Sequence, residues 1–315
     1  MTSVFKKITN KINTINKLYL INKYNGKLKF DISKSIIISG VPRGGTTWFA
    51  ELLAKNFNTA LIWEPIHPDY YPPLTIHNLK IRPYFDKNYH DEKLYNSFKE
   101  LLQGEVLTQG ILQKTNINEL LVANFLTVKF CRANRMLPWL TQNFEFHKVI
   151  HLLRHPCAVV SSQLKFGAWD DVPPHFTEDE LKPDGYIENY YDIIKPIQTI
   201  EEKLAAIWCL DNIIPLNCNS ENKWVSITYE NLLLNPEQTF KNINITFSDS
   251  IKNSLSKASS TTKKGSPVSS GTNKIKQLSY WQSTLTDTQI KSILNILKKF
   301  DLSIYNETIY PTVNY

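Results

Sequence analysis

One segment restricts the fold more than any other: SIIISGVPRGGTTWFAELLAKNF, residues 35–57. Ile36, Ile37 and Ile38 form an apolar run of the kind carried by buried strands. Gly40, Gly44 and Gly45 make a turn, after which Phe49, Leu52, Leu53 and Phe57 recur at helical spacing. Strand, glycine turn and helix in succession can cradle a phosphate. Small residues let backbone N–H groups reach the oxygens, and the helix N-terminus adds the positive end of its dipole. Gly40 and Gly45 keep the spacing of a nucleotide-binding loop, but Thr46, followed by Thr47, stands where a nucleoside triphosphatase carries lysine. The positive charge sits inside the loop, on Arg43. The pattern favours a short phosphate-like group over a triphosphate with its metal. The glycines alone are also compatible with a strand, turn and helix that bind nothing.

The rest of the chain repeats the alternation. KVIHLL (148–153) and WVSITY (224–229) read as strands, and helical spacing covers residues near 91–103 and 286–300. Pro156 suits a helix's first turn, and Asn235-Pro236-Glu237 looks like a cap and first turn. A Pro- and Tyr-rich stretch follows the first helix. Residues 170–192 are acidic and proline-bearing, as in an insertion or lid, and residues 248–274 are Ser-, Thr-, Lys- and Asn-rich, as in a flexible loop. Together these predict α/β architecture: a single P-loop-type domain over residues 35–315, its central mostly parallel sheet flanked by helices.

Composition narrows the partners. The formal charge is +7, but residues 1–30 hold seven lysines and no acid. Taking those seven from 36 leaves 29 bases against 29 acids, so the body is neutral and lacks the footprint of a nucleic-acid binder. Residues 1–34 read as a basic N-terminal helical extension, with Val4, Phe5, Ile8, Ile12, Ile15 and Tyr19 at helical spacing. The spacing fits a helix packed on the domain edge, or one making weak peripheral contact with an anionic membrane. No run of about 18 apolar residues and no signal-peptide pattern is present, which predicts a cytoplasmic chain. Cys131, Cys157, Cys209 and Cys218 have no CxxC spacing and lie in core-like segments, so buried free thiols are expected rather than a zinc site or disulfides.

A second segment, HLLRHPCAVVSSQLKF, sends Arg154 out of a strand and places Ser162 eight residues later. With PRGGTTW about 110 residues before it, this pair resembles the sulfotransferases that use 3′-phosphoadenosine 5′-phosphosulfate (PAPS) and release the bisphosphate PAP. The resemblance runs over residues 35–300. It implies that Arg43, Gly44, Gly45, Thr46 and Thr47 hold the 5′-phosphosulfate, that Arg154 and Ser162 hold the 3′-phosphate, and that Trp48 stacks on adenine. VSITYENLLLNP makes Tyr229 a further adenine contact, and KKGSPVSSG matches a loop covering the 3′-phosphate through Lys263, Lys264 and Gly265. No metal is implied.

The same resemblance frames the chemistry. Arg43 and Lys114 would stabilise the transferring group and the leaving oxygen. QKTNIN matches a KTH-like motif at Lys114 and Thr115 but carries Asn116 at the histidine, which cannot take a proton near neutrality. WEPIHP is similar to a segment of the carbohydrate-acting branch and makes Glu64 the candidate base, its pKa raised by burial beside Trp63; a structural carboxylate is the other reading, and His67 a third base candidate. The expected acceptor is then a hydroxyl of a carbohydrate or glycolipid, with Trp63, Tyr70, Tyr71 and Tyr84 available to stack on sugar rings. The acidic 170–192 segment, if part of the acceptor wall, would disfavour a highly anionic glycan. A small alcohol or phenol as acceptor, a small-molecule kinase and a nucleotide-binding module without activity remain the alternatives.

Overall fold

Five short strands rich in Ile, Leu and Val build the centre: β1 (Ile36–Ser39), β2 (Ala60–Trp63), β3 (Leu126–Phe130), β4 (Lys148–Leu153) and β5 (Val225–Thr228). The structure, a computed structural model, describes residues 14–15, 17–67, 71, 74, 76–77, 79–115, 117–166, 185–218, 223–255, 257 and 273–312. The strands lie in the order β2-β3-β1-β4-β5, and every pairing is parallel. Parallel strands require crossovers, so helices cover both faces, and the inner strands are apolar on both sides rather than alternating. One core cluster gathers Ile36, Ile38, Phe49, Leu152 and Trp208, the other Ile37, Ile62, Val128, Phe98 and Trp139.

From β1 the chain crosses past β3 to β2, and from β3 it crosses back over β1 to β4. The strand order therefore reverses direction at β1 and β3, and open α/β sheets bind ligands beyond the carboxyl ends of the strands at such a point. The helix Thr46–Phe57 starts there.

Several elements differ from the sequence expectation. Strands β2 and β3 and the helix Ile200–Asn217 had no readable period. That helix is buried almost all round, from Leu204 to Pro215, so no polar face breaks its pattern. Its start is fixed by a capping box between Thr199 and Glu202. Pro236 opens its helix, but the Asn235 side chain makes no cap bond. Asp249–Leu255, expected as loop, is helical. In the expected lid, residues 170–184 lie outside the described residues, whereas Tyr186 and Ile187 are core residues, the former donating from its hydroxyl to Leu210 O at 2.6 Å. Cys131, Cys157 and Cys209 are buried free thiols, but Cys218, just past the end of the long helix, is exposed.

Candidate active site

Each strand delivers functional side chains at its carboxyl end. After β1 the chain turns through residues 40–45 into the helix Thr46–Phe57. Arg43 (φ 70°) and Gly45 (φ 95°) are left-handed there, a curl of backbone that turns N–H groups toward one side. A Cβ on Gly45 would stand 2.6 Å from the Tyr229 ring, and one on Gly40 would stand 2.5 Å from Leu152 O of β4. Glycine is required at both positions by contact, and at Gly45 by φ as well.

Arg154, the first residue after β4, reaches back to this loop. Its Nη1 donates to Arg43 O at 3.0 Å, and Arg43 Nε donates to Ser162 Oγ at 3.0 Å. Gln163 Nε2 donates to Pro42 O at 3.3 Å, tying the loop to the same helix, Pro156–Phe166. The Arg154 guanidinium lies 4.6 Å from the Tyr229 ring centroid, and Tyr229 meets Trp48 edge-on at 5.5 Å. Gln277 Nε2 donates to the Tyr229 hydroxyl at 2.6 Å, and Trp48 Nε1 donates to Lys257 O at 3.0 Å. Burial and the neighbouring Arg154 both lower the pKa of Arg43. Arg154 Nε is a buried donor with no hydrogen-bond partner among the described residues. Two close guanidiniums, a curled glycine loop and an unmatched donor fit an anionic group. Arg43, Gly44, Gly45, Trp48, Arg154, Ser162 and Tyr229 thus come together. Thr46 points inward, its hydroxyl 3.4 Å from Cys131 Sγ, and Thr47 Oγ1 accepts from Trp63 Nε1 at 3.4 Å. Lys263, Lys264 and Gly265 lie outside the described residues.

The turn after β4 is braced from the far end of the chain. His155 Nε2 bonds Asn306 O at 2.9 Å and its ring stacks on Trp281 at 4.5 Å. Glu230 Oε1 accepts from His155 N at 3.0 Å while its Oε2 accepts from the Tyr305 hydroxyl at 2.8 Å. Burial pushes the His155 pKa down to about 4.

A second group lies at the carboxyl ends of β2 and β3. Glu64, the residue after β2, is 3% exposed and left-handed at φ 49°. Lys129 Nζ on β3 donates to its Oε1 at 2.7 Å, and Arg132 Nη1 donates to its Oε2 at 2.9 Å. Burial alone raises the Glu64 pKa, but Lys129, Arg132 and the Cys131 thiol more than offset it, so the carboxyl is held below its ordinary range. The expectation of a raised pKa is corrected on this ground. Burial lowers the Lys129 pKa, but the neighbouring Cys131 and Glu64 carboxylate more than offset this and hold it above its ordinary value. Trp63 has Lys129 at 5.0 Å and Lys114 at 5.9 Å from its ring centroid. Thr115 donates to Leu61 O; Asn116 and Tyr70 lie outside the described residues. Tyr71 belongs to the core, its hydroxyl donating to Ser97 O, while Tyr84 stacks on Tyr186 at 4.8 Å.

Sequence reasoning missed Lys129, Cys131 and Arg132. One signal was available. The chain has five arginines, and all five fall in this region: Arg43 and Arg154 at the loop, Arg132 on Glu64, and Arg82 and Arg135 on the two oxygens of buried Asp211, each at 2.8 Å. Where lysine serves every other basic position, the guanidinium fork stands where geometry must be fixed.

A parallel sheet of this order, with a glycine loop between β1 and the helix after it, defines a P-loop-type α/β fold. The sulfotransferase family model matches residues 35–246, and the chain belongs to the sulfotransferase family, a class of transferases. The solved sulfotransferase domain of a Synechococcus olefin synthase is similar at 17% identity, over 90% of this chain and 98% of that one, with a TM-score of 0.46. The sulfotransferase domain from the curacin biosynthetic pathway follows at 16% identity, over 85% and 98%, with a TM-score of 0.45. A mouse sulfotransferase complexed with PAP is similar at 14% identity, over 90% and 89%, also at 0.45. No curated protein sequence matches the chain.

Proposed function

We propose that the chain transfers a sulfuryl group from PAPS to a hydroxyl of a carbohydrate-containing acceptor. The observation that carries the donor reading is the meeting of Arg43, Arg154 and Ser162 at the loop, with Arg154 Nε buried and unmatched among the described residues. The donor, when bound, supplies a sulfuryl group on a phosphate leaving group. In our reading the backbone of residues 44–47 and Arg43 neutralise the 5′ side, Arg154 and Ser162 the 3′-phosphate, and Trp48 and Tyr229 the base. The acceptor oxygen forms an S–O bond as the S–O bond to the phosphate breaks, and that electron pair leaves with the bisphosphate. Lys129 and Lys114, flanking Trp63, would balance the negative charge.

The hydroxyl proton passes to Glu64 in this proposal. The ion pairs to Lys129 and Arg132 favour a second reading, in which Glu64 is the counter-ion that orients Lys129 and the proton leaves to water. Trp63 beside Glu64 supports a sugar acceptor; a small alcohol or phenol is the next candidate. Calorimetry with adenosine 3′,5′-bisphosphate against ATP and magnesium tests the donor, and preference for ATP refutes it. An acceptor screen with labelled donor, comparing glycosides with simple alcohols and phenols, tests the rest.

A further inference from the structure

The N-terminal helix turns an apolar strip away from the domain on which it sits. Residues 17–24 are helical, and Ile21, with Leu20 and Tyr24 beside it, packs on the core. On the opposite side Ile15, Leu18 and Tyr19 are 56%, 41% and 64% exposed. At helical spacing these three share one face. Ile15 and Tyr19 belong to the stripe that the sequence suggested for packing on the domain edge; the packed face is a different one.

A helix that only covers a domain needs one apolar face, and this helix has two. The outer one lies in a stretch with seven lysines and no acid over residues 1–30, of which Lys23 and Lys27 are exposed. A second copy of the chain on this face would bring lysine against lysine. A nucleic acid would satisfy the lysines but leave Ile15 and Leu18 in water. An anionic lipid surface meets both requirements, taking apolar side chains below the headgroups and cations at their level.

We propose that the N-terminal helix is an interfacial anchor, docking the enzyme on an anionic bilayer by inserting Ile15, Leu18 and Tyr19. Lys17 Nζ donates to Leu112 O, and the adjacent Ile111 O accepts from Trp63 N at 3.1 Å. The anchor therefore sits on the turn that holds Trp63, next to Glu64, and docking brings the acceptor side toward the membrane. That consequence for a membrane-borne acceptor rests on the proposed function; the docking itself does not.

The test is flotation of the full chain with vesicles of phosphatidylcholine, with and without phosphatidylglycerol. Binding is expected with the anionic vesicles and is weakened by salt. The triple variant Ile15→Ser, Leu18→Ser, Tyr19→Ser lowers partitioning on the order of a hundredfold. Lys23→Glu with Lys27→Glu lowers it on the order of tenfold or more. Affinity for adenosine 3′,5′-bisphosphate is unchanged in both, which separates failure of the anchor from failure of the donor site. No flotation on anionic vesicles overturns the proposal, as does flotation that the triple variant leaves untouched. A triple variant that changes oligomeric state and not flotation makes the face a self-association surface and also overturns it.

Discussion

Lys129 Nζ and Glu64 Oε1 stand 2.7 Å apart, each side chain almost wholly out of water. Removing one partner of such a pair strands a charge in the interior, which is more costly than the pair itself is stabilising. Glu64→Gln is expected to lower the unfolding free energy by about 3–5 kcal/mol, leaving Lys129 and Arg132 without their anion. Adding Lys129→Met should recover part of that loss, read as a non-additive double-mutant cycle in urea unfolding. Simple additivity would mean that the two residues are not coupled.

The same pair gives a kinetic signature. With its folded pKa below the ordinary glutamate value of 4.5, Glu64 stays ionised through the mildly acidic range. If it takes the acceptor's proton, kcat/KM should show no acid limb between about pH 7 and 5. A limb near the imidazole range would move the base to a histidine, with His67 the first to replace.

For the donor, Arg154→Ala should weaken adenosine 3′,5′-bisphosphate by about 1.5–3 kcal/mol, one charge-assisted contact. The variant should also discriminate poorly between the bisphosphate and AMP in calorimetry. Equal loss for both ligands would remove Arg154 from the 3′-phosphate.

Acid should unfold the protein before its carboxylates titrate. Burial holds His151 and His155 neutral, each with a pKa lowered from 6.5 to about 4. A lowered folded pKa means that the unfolded chain binds the proton first. The stability is therefore complete above pH 6.5 and drains as pH falls toward 4, on the order of 3 kcal/mol per histidine. Glu64 acts with the same sign at lower pH, below its ordinary 4.5. His151→Gln should flatten the upper part of this dependence in thermal unfolding at stepped pH.

The sequence was most legible where one local pattern sufficed. Strand, glycine turn and helix at residues 36–57 could be read from the period change and the glycines, and β4 and β5 from short apolar runs with clear boundaries. The helix Ile200–Asn217 could not, because a segment buried on all sides has no amphipathic period. Arg43 and Arg154 stand beside recognisable turns, Ser162 follows on the helix that Pro156 opens, and the structure brings the three together. Lys129 and Arg132 were not legible, since LTVKF has no readable period and a lysine in it looks solvated. Only the sheet order, with β3 between β2 and β1, makes it an interior, buried position. Lys114 was preferred on a local motif, and nothing local distinguishes it from a lysine across the sheet.

The brace behind Arg154 bears on the order in which the enzyme matures. During synthesis the loop at residues 40–45 leaves the ribosome early, and Arg154 follows once β4 has emerged. Asn306 and Tyr305, which fix His155 and Glu230 behind it, are made later, Asn306 151 positions after His155. A nascent chain can thus fold the sheet while the turn at Arg154 is still unbraced, and chains stalled short of residue 305 carry the loop without its support.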